Sequence, residues 1–145
     1  MDIRQLDQGM AVAPQIALPD VAELAKAGFR AVICNRPDGE EPGQPAFAEI
    51  AQAAQAAGMA AHHIPIASGQ LDLAAAERFA RVLDETDGPV FAYCRSGTRS
   101  AMLWALSQAG RRPMGEILAA TASAGYDLSP LAQLLGGLTR PAATG

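Results

Sequence analysis

The chain is poor in cysteine, has no long apolar run and carries no excess of positive charge, and each shortage removes a class of protein. Two cysteines among 145 residues cannot build a disulfide framework, which excludes the stapled folds of small secreted proteins and fits a reducing compartment where thiols are kept for chemistry. Nowhere do about 18 apolar residues follow one another, the length a membrane helix needs. Met1-Asp2-Ile3-Arg4-Gln5 shows no cationic segment followed by an apolar one, so a cytoplasmic location with no membrane partner is expected. A formal net charge of -4 and a pI near 5.0 give nothing for a nucleic acid backbone to pair with. Neither an internal repeat nor a long linker divides the sequence. With 50% hydrophobic residues it can bury one core, and a single catalytic domain is expected over 1–138, followed by a frayed tail at 139–145.

What is present is an alternation of short strand and helix patterns. Ile3 to Leu6 and Met10 to Ala13 read as two strands around the turn Asp7-Gln8-Gly9. Pro19 and Asp20 open a helix with Val21, Leu24 and Ala25 on one face, and Gly28 stands where a helix end takes a left-handed residue. Phe29 to Cys34 reads as a buried strand and Met59 to Ile66 as another; between them Phe47 to Ala57 is a helix with Phe47, Ile50, Ala51 and Ala54 on one stripe. Asp72 is placed to cap a helix carrying Ala76, Phe79, Ala80 and Leu83. Pro89 to Tyr93 is a strand, Ala101 to Ala109 the helix after it, and Pro113 and Pro130 each start another, the last with Leu131, Leu134, Leu135 and Leu138 on its stripe. Such alternation implies right-handed crossovers and an α/β fold, a central mostly parallel sheet with helices on both faces. Sites in such sheets lie at the carboxyl ends of the strands, where Cys34, the loop after Ile66 and Cys94 all fall.

The chemistry is concentrated in Phe91 to Ser100. An apolar strand stops at Cys94, polar or small residues follow, and a helix begins. Backbone N–H groups of a turn that opens a helix converge on one point and favour an anion there, and a thiolate is such an anion. Cys94 is therefore the candidate nucleophile, inside an oxyanion-binding loop of Arg95, Ser96, Gly97 and Thr98. Arg99 is placed to grip two oxygens of an oxyanion at once, and Ser100 to donate a hydrogen bond to the thiolate. The competing view is a small buried cysteine ending a strand beside two solvated arginines. Two arginines, a glycine and two hydroxyls within the loop make a poor core element.

The loop Cys94-Arg95-Ser96-Gly97-Thr98-Arg99 resembles the active loops of rhodanese sulfurtransferases and of cysteine-dependent protein phosphatases. Tyrosine phosphatases place five residues between the cysteine and the arginine; the four here, Arg95 to Thr98, match the length of rhodanese loops. With Val32-Ile33-Cys34-Asn35-Arg36-Pro37-Asp38-Gly39-Glu40 and His62-His63-Ile64-Pro65, the chain looks like the bacterial beta-lactamase-hydrolase-like phosphatase family over roughly Ile3 to Ala109. That resemblance implies a protein-tyrosine-phosphatase-like fold, and the family also carries the label of sulfur transferase. Some members are fused to metallo-hydrolase domains linked with sulfide metabolism.

Dual-specificity phosphatases that resemble this chain carry, after the strand ending here in Ile64-Pro65-Ile66, an aspartate that protonates the leaving alcohol. The matching position is Ser68. Asp72 is a candidate stand-in, although its place before a helical stripe also suits an N-cap. Proton donation contributes on the order of 10²- to 10⁴-fold, so its loss weighs on an alkoxide and not on sulfite, which leaves as a stabilised anion. Sulfane sulfur transfer through a Cys94 persulfide is thus the expected reaction, with phosphate monoester hydrolysis and a non-catalytic anion or phosphopeptide binder as alternatives. The substrate expected is a small sulfur or phosphate oxyanion, with a protein as a candidate acceptor. No cofactor is expected. Adjacent His62 and His63 point to opposite faces of a strand and cannot easily share a metal ion, so no metal is expected; His63 remains a candidate for the pocket rim. Arg36 and Asp38 either rim the pocket or pair with each other in a turn. Trp104 is expected in the core of the loop helix. If the strands ending at Cys34 and Cys94 are neighbours, their separation of about 4.8 Å allows a disulfide, and some phosphatases of related fold use such a cysteine to trap their oxidised nucleophile.

Overall fold

The computed structural model describes residues 1–139. Its centre is a five-stranded sheet in the order β1-β2-β5-β3-β4, built from β1 (Arg4–Asp7), β2 (Met10–Ala13), β3 (Ala31–Cys34), β4 (Ala60–His63) and β5 (Val90–Tyr93). Only β1 runs antiparallel, folded back on β2 by the turn at Gln8 and Gly9; β2, β5, β3 and β4 are parallel. A helix follows each of the four parallel strands, as a parallel neighbour can be reached only by a crossover. These are α1 (Leu18–Lys26), α2 (Phe47–Ala56), α3 (Leu73–Glu85) and α4 (Thr98–Gln108), followed by α5 (Met114–Ser123) and α6 (Ala132–Thr139).

Side-chain alternation along the strands sorts the core into two layers. Ala11, Ala13, Val32, Cys34, Phe91 and Tyr93 face α1 and α2, which bring Val21, Leu24, Ile50 and Ala54. Met10, Val12, Ile33, Val90 and Ala92 face α3 and α4, which bring Phe79, Val82, Leu103 and Trp104. The fold is thus the expected α/β arrangement with helices on both faces. α4 lies under the sheet centre and buries residues all round, Trp104 among them, as a helix with no solvent side must.

Several boundaries differ from the periodicity: β3 begins at Ala31 and not at Phe29, the last α-helix begins at Ala132 and not at Pro130, and two shifts are larger. The strand expected over Met59 to Ile66 is regular only at Ala60–His63, since β4 is an edge strand and Pro65 lacks the N–H that a ladder uses. Its bonding continues irregularly, with Ile64 N–H on the Cys34 carbonyl at 2.9 Å and Ile66 N–H on the Asn35 carbonyl at 3.3 Å. The helix expected from Ala101 begins at Thr98. No helix among the described residues is long and apolar enough to cross a membrane. The tail expected at 139–145 lies outside the described residues, except for Thr139, which ends α6.

Candidate active site

Strand ends meet at one rim of the sheet and are tied together there. Asn35 N–H donates to the Tyr93 carbonyl at 2.9 Å, Cys94 N–H to the Ala13 carbonyl at 3.4 Å, and Gln15 N–H to the Arg95 carbonyl at 3.2 Å. The loop that follows β5 is therefore fastened to β2 and β3 before it turns. Gly97 makes the turn at φ +93° and caps α4. A Cβ there would lie 2.0 Å from the Tyr126 hydroxyl oxygen and 3.3 Å from the Ala13 carbonyl carbon, so only glycine fits. Tyr126 holds the loop from the other side, donating its hydroxyl to the Ser96 carbonyl at 3.2 Å. Ser96 and Thr98 bond each other through their hydroxyls at 3.1 Å.

Cys94 lies fully buried beneath this turn, and its Sγ accepts the Gly97 N–H at 3.1 Å. An amide aimed at sulfur from the start of a helix stabilises negative charge there. Because α4 starts at Thr98, both Arg99 and Ser100 belong to its first turn. Arg99 Nη1 and Nη2 grip Glu40 Oε2 and Oε1 at 2.8 and 2.9 Å, and Nη1 also donates to the Ile66 carbonyl at 2.9 Å. The Arg99 hydrogen bond holds the Glu40 carboxyl below its usual range, and Glu40 in turn raises the guanidinium. What remains of Arg99 is its Nε–H and one Nη2–H, side by side on one edge that no oxygen acceptor of the described residues takes, within reach of the Cys94 sulfur. That edge is a two-pronged donor for an oxyanion.

Arg36 is a buried strut. Its Nε donates to Glu40 Oε1 at 2.8 Å, Nη1 to Gln15 Oε1 at 2.9 Å and Nη2 to Glu41 Oε1 at 3.0 Å. The turn pairing of Arg36 with Asp38 does not form: Asp38 Oδ1 instead accepts the Phe47 N–H at 2.8 Å, at the start of α2. Arg36, Glu40, Glu41, Ser68, Arg95 and Arg99 line a pocket of about 210 Å³. Arg95 is at its mouth, 69% exposed in its side chain, with Nε 3.5 Å from Glu41 Oε2.

Ser100 departs from its expected part. Its hydroxyl donates to Asn35 Oδ1 at 2.8 Å rather than to the sulfur, and Asn35 Nδ2 donates onward to the Ile64 carbonyl at 2.9 Å, so this pair pins α4 to the ends of β3 and β4. Asp72 is the N-cap of α3, its Oδ1 accepting the Ala75 N–H at 3.0 Å, and it is not among the residues that line the pocket. Ser68 does line the pocket. His63 Nε2 donates to the Arg36 carbonyl at 2.9 Å and its ring stacks on Phe47 with centroids 4.6 Å apart, so it buttresses the Arg36 turn from behind. His62 points to the opposite face. Among the described residues no group of histidine, cysteine or acidic side chains could hold a metal ion. Cys34 ends β3 beside β5, in register with Tyr93, its Sγ 3.4 Å from the Arg36 carbonyl; burial pushes its thiol up. Both cysteines are free.

Sequence reasoning passed over Glu40, Gln15, Asn35 and Tyr126. Glu40 stood in the motif that ends Asp38-Gly39-Glu40, at the carboxyl end of a strand whose neighbour carries the nucleophile, and that position was a usable signal. Tyr126 comes from the far end of the chain and had none.

Residues 2–111 match the family described as beta-lactamase hydrolase-like protein, phosphatase-like domain. A beta-lactamase hydrolase-like protein of Xylella fastidiosa is 35% identical over 130 residues, which are 88% of this chain and 30% of the relative. The chain thus spans under a third of that curated relative. A candidate phosphatase of Neisseria meningitidis Z2491, with a solved structure, is 35% identical and superposes with a TM-score of 0.82 over 95% of this chain and 99% of its own. Tk-PTP in its active form shares the fold at a TM-score of 0.75 over 95% of each chain, with 18% identity.

Proposed function

From the premise that this chain belongs to the family of beta-lactamase hydrolase-like, phosphatase-like domains, we propose that it is a cysteine-thiolate enzyme that transfers sulfane sulfur through a persulfide on Cys94. With thiosulfate as donor, the Cys94 thiolate attacks the outer sulfur. The sulfur–sulfur bond of the donor breaks and sulfite leaves with the bonding pair, so that Cys94 carries a persulfide. A nucleophilic acceptor such as a thiolate or cyanide then takes the terminal sulfur and the pair returns to Cys94 as thiolate. The loop amides and the Nε/Nη2 edge of Arg99 hold the oxyanion end of the donor during the first step.

The observation that carries this reading is that each candidate acid, carboxylate or imidazole, already has a partner among the described residues. Glu40 is tied to Arg99 and Arg36, Glu41 to Arg36 and Arg95, Asp72 to the start of α3, and His63 to the Arg36 carbonyl. Ser68 offers a hydroxyl, which is no acid at neutral pH. A leaving group must depart here without a proton, as sulfite does and an alkoxide does not. A second reading, hydrolysis of phosphate monoesters through a phosphocysteine, is favoured by the phosphatase-like fold and by the relative from Neisseria meningitidis.

Comparing kcat/KM for thiosulfate-to-cyanide transfer with that for an aryl phosphate tests the choice. The expected result is faster sulfur transfer, with a Cys94 peptide one sulfur atom heavier after thiosulfate alone. Faster phosphate release with no persulfide would give the site to the second reading. Sulfate binding with neither turnover would make it a binder.

A further inference from the structure

Six arginines of the described structure have a carboxylate within ion-pair distance: Arg4, Arg36, Arg95, Arg99, Arg111 and Arg112. Arg30, Arg78 and Arg81 have none among the described residues, and all three line a single groove of about 710 Å³ between β4 and α3, away from the catalytic pocket. In a chain of net charge -4, three arginines without an ion-pair partner against Glu85 and Asp87 leave this groove with an excess of positive charge.

The other wall of the groove is an open sheet edge. β4 is the outermost strand and pairs only with β3. Ala60 N–H donates to the Arg30 carbonyl at 3.1 Å and Ile64 N–H to the Cys34 carbonyl at 2.9 Å, so Ala60, His62 and Ile64 address β3 while Ala61 and His63 turn their backbone groups outward. Arg78 Nη2 marks that outward direction by donating to the His63 carbonyl at 2.9 Å. The Ala61 N–H and carbonyl have no partner among the described residues. Natural edge strands are usually blunted by lysine, proline or a bulge; β4, reading Ala-Ala-His-His, has none of these within its four residues, and Pro65 closes the open stretch beyond it. The methyl side chains of Ala60 and Ala61 leave room for a second backbone to approach.

The groove is also polar along its length. α3 runs antiparallel to β4, so Arg78 stands at the His63 end, whereas Glu85 and Asp87 line the Ala60 end. We infer that this edge receives an extended acidic segment of a protein partner as an added strand. Its backbone pairs with the Ala61 N–H and carbonyl and with the His63 N–H, the His63 carbonyl being held by Arg78, and its carboxylates reach the remaining N–H groups of Arg78 and Arg81. Glu85 and Asp87 share the Ala60 end with Arg30 and offset its charge, so the unopposed cations Arg78 and Arg81 set the direction of docking.

The test selects short random peptides displayed against the folded chain and characterises those that bind. The expected winners are rich in Asp and Glu, slow hydrogen exchange at the Ala61 and His63 amides, and lose about tenfold or more in affinity to the double charge reversal Arg78→Glu, Arg81→Glu. N-methylating the backbone of the bound peptide should weaken it similarly, because an added strand needs its N–H groups. Circular dichroism of the double variant establishes that it is folded. No enrichment of acidic residues, unchanged exchange at both amides, equal affinity for the charge-reversed chain, or no selected peptide at all would each overturn the inference.

Discussion

Arg99 can hold an oxyanion only while its Nε/Nη2 edge faces the loop, and the group that turns it that way is Glu40, through two short bonds to the opposite end of the guanidinium. Glu40→Gln keeps the size but removes the charge, leaving one acceptor oxygen where two were used. Turnover is expected to fall about 10- to 100-fold in kcat/KM, corresponding to roughly 1.4 to 2.8 kcal/mol of lost transition-state stabilisation. Cys94→Ser should abolish turnover, and Arg99→Lys should raise KM for the oxyanion because a point charge cannot replace the fork. The same pair shapes the acid stability of the fold. The Arg99 hydrogen bond lowers the Glu40 carboxyl below its ordinary value of 4.5. Such a group stabilises the folded state above the ordinary carboxylate range, and the contribution disappears as pH falls through the lowered value. Urea unfolding of the parent and Glu40→Gln across mildly to strongly acidic pH should therefore converge at the acid end and separate near neutrality. A constant gap would mean that Glu40 does not titrate with folding.

At the scale of elements, the junction of β5 and α4 is the most constrained piece of chain. Gly97→Ala places a Cβ 2.0 Å from the Tyr126 hydroxyl oxygen on a residue at φ +93°, so the loop must move. A cost on the order of 1–3 kcal/mol in unfolding free energy is expected from the backbone alone, accompanied by loss of turnover. Combining it with Tyr126→Ala should recover stability only in part, because the backbone term remains. The ends of β3 and β5 carry a second prediction. Their strands are neighbours, as a Cys34–Cys94 disulfide requires, but burial raises the Cys34 thiol and thins its thiolate at neutral pH. Capture of a peroxide-formed Cys94 sulfenic acid by Cys34 should therefore be slow near pH 7 and faster in alkali, as read by non-reducing peptide mapping. A yield indifferent to pH, or a Cys94 sulfinate with Cys34 still reduced at every pH, would make Cys34 a core residue only. These elements were legible because both periods were clean, β-branched and apolar residues in the strands and three- to four-residue stripes in the helices. The start of α4 was not, since Thr98, Arg99 and Ser100 look like loop residues and become helical only because Gly97 takes a left-handed turn. Glu40 escaped for a related reason: a carboxylate in a Pro- and Gly-rich turn looks solvated until the strand order brings Arg99 beside it.

At the scale of the molecule, the family match ends at residue 111, yet the site is completed by residues beyond it. Ile117, Tyr126, Leu128 and Leu135 are buried in the layer that also holds Phe79, Leu103 and Trp104. Tyr126 belongs to that layer and also donates to the Ser96 carbonyl of the loop. A chain cut after Arg112 loses all four of these side chains. At about 1.5–3 kcal/mol for each fully buried apolar side chain, the loss is roughly 6–12 kcal/mol, comparable to the whole stability of an ordinary domain, about 5–15 kcal/mol. The shortened chain is therefore expected to lose cooperative thermal unfolding and to bind a hydrophobic dye, even though it retains Cys94, Arg99 and Glu40. Tyr126→Phe separates the two duties of that residue. It keeps the ring in the core and removes only the bond to Ser96, so stability should drop by about 0.5–1.5 kcal/mol. Turnover should fall further than that loss explains if the hydroxyl holds the loop in register. Should the shortened chain unfold cooperatively near the parent temperature and keep the parent's turnover, the helices after Arg112 would be a covering and not a part of the core.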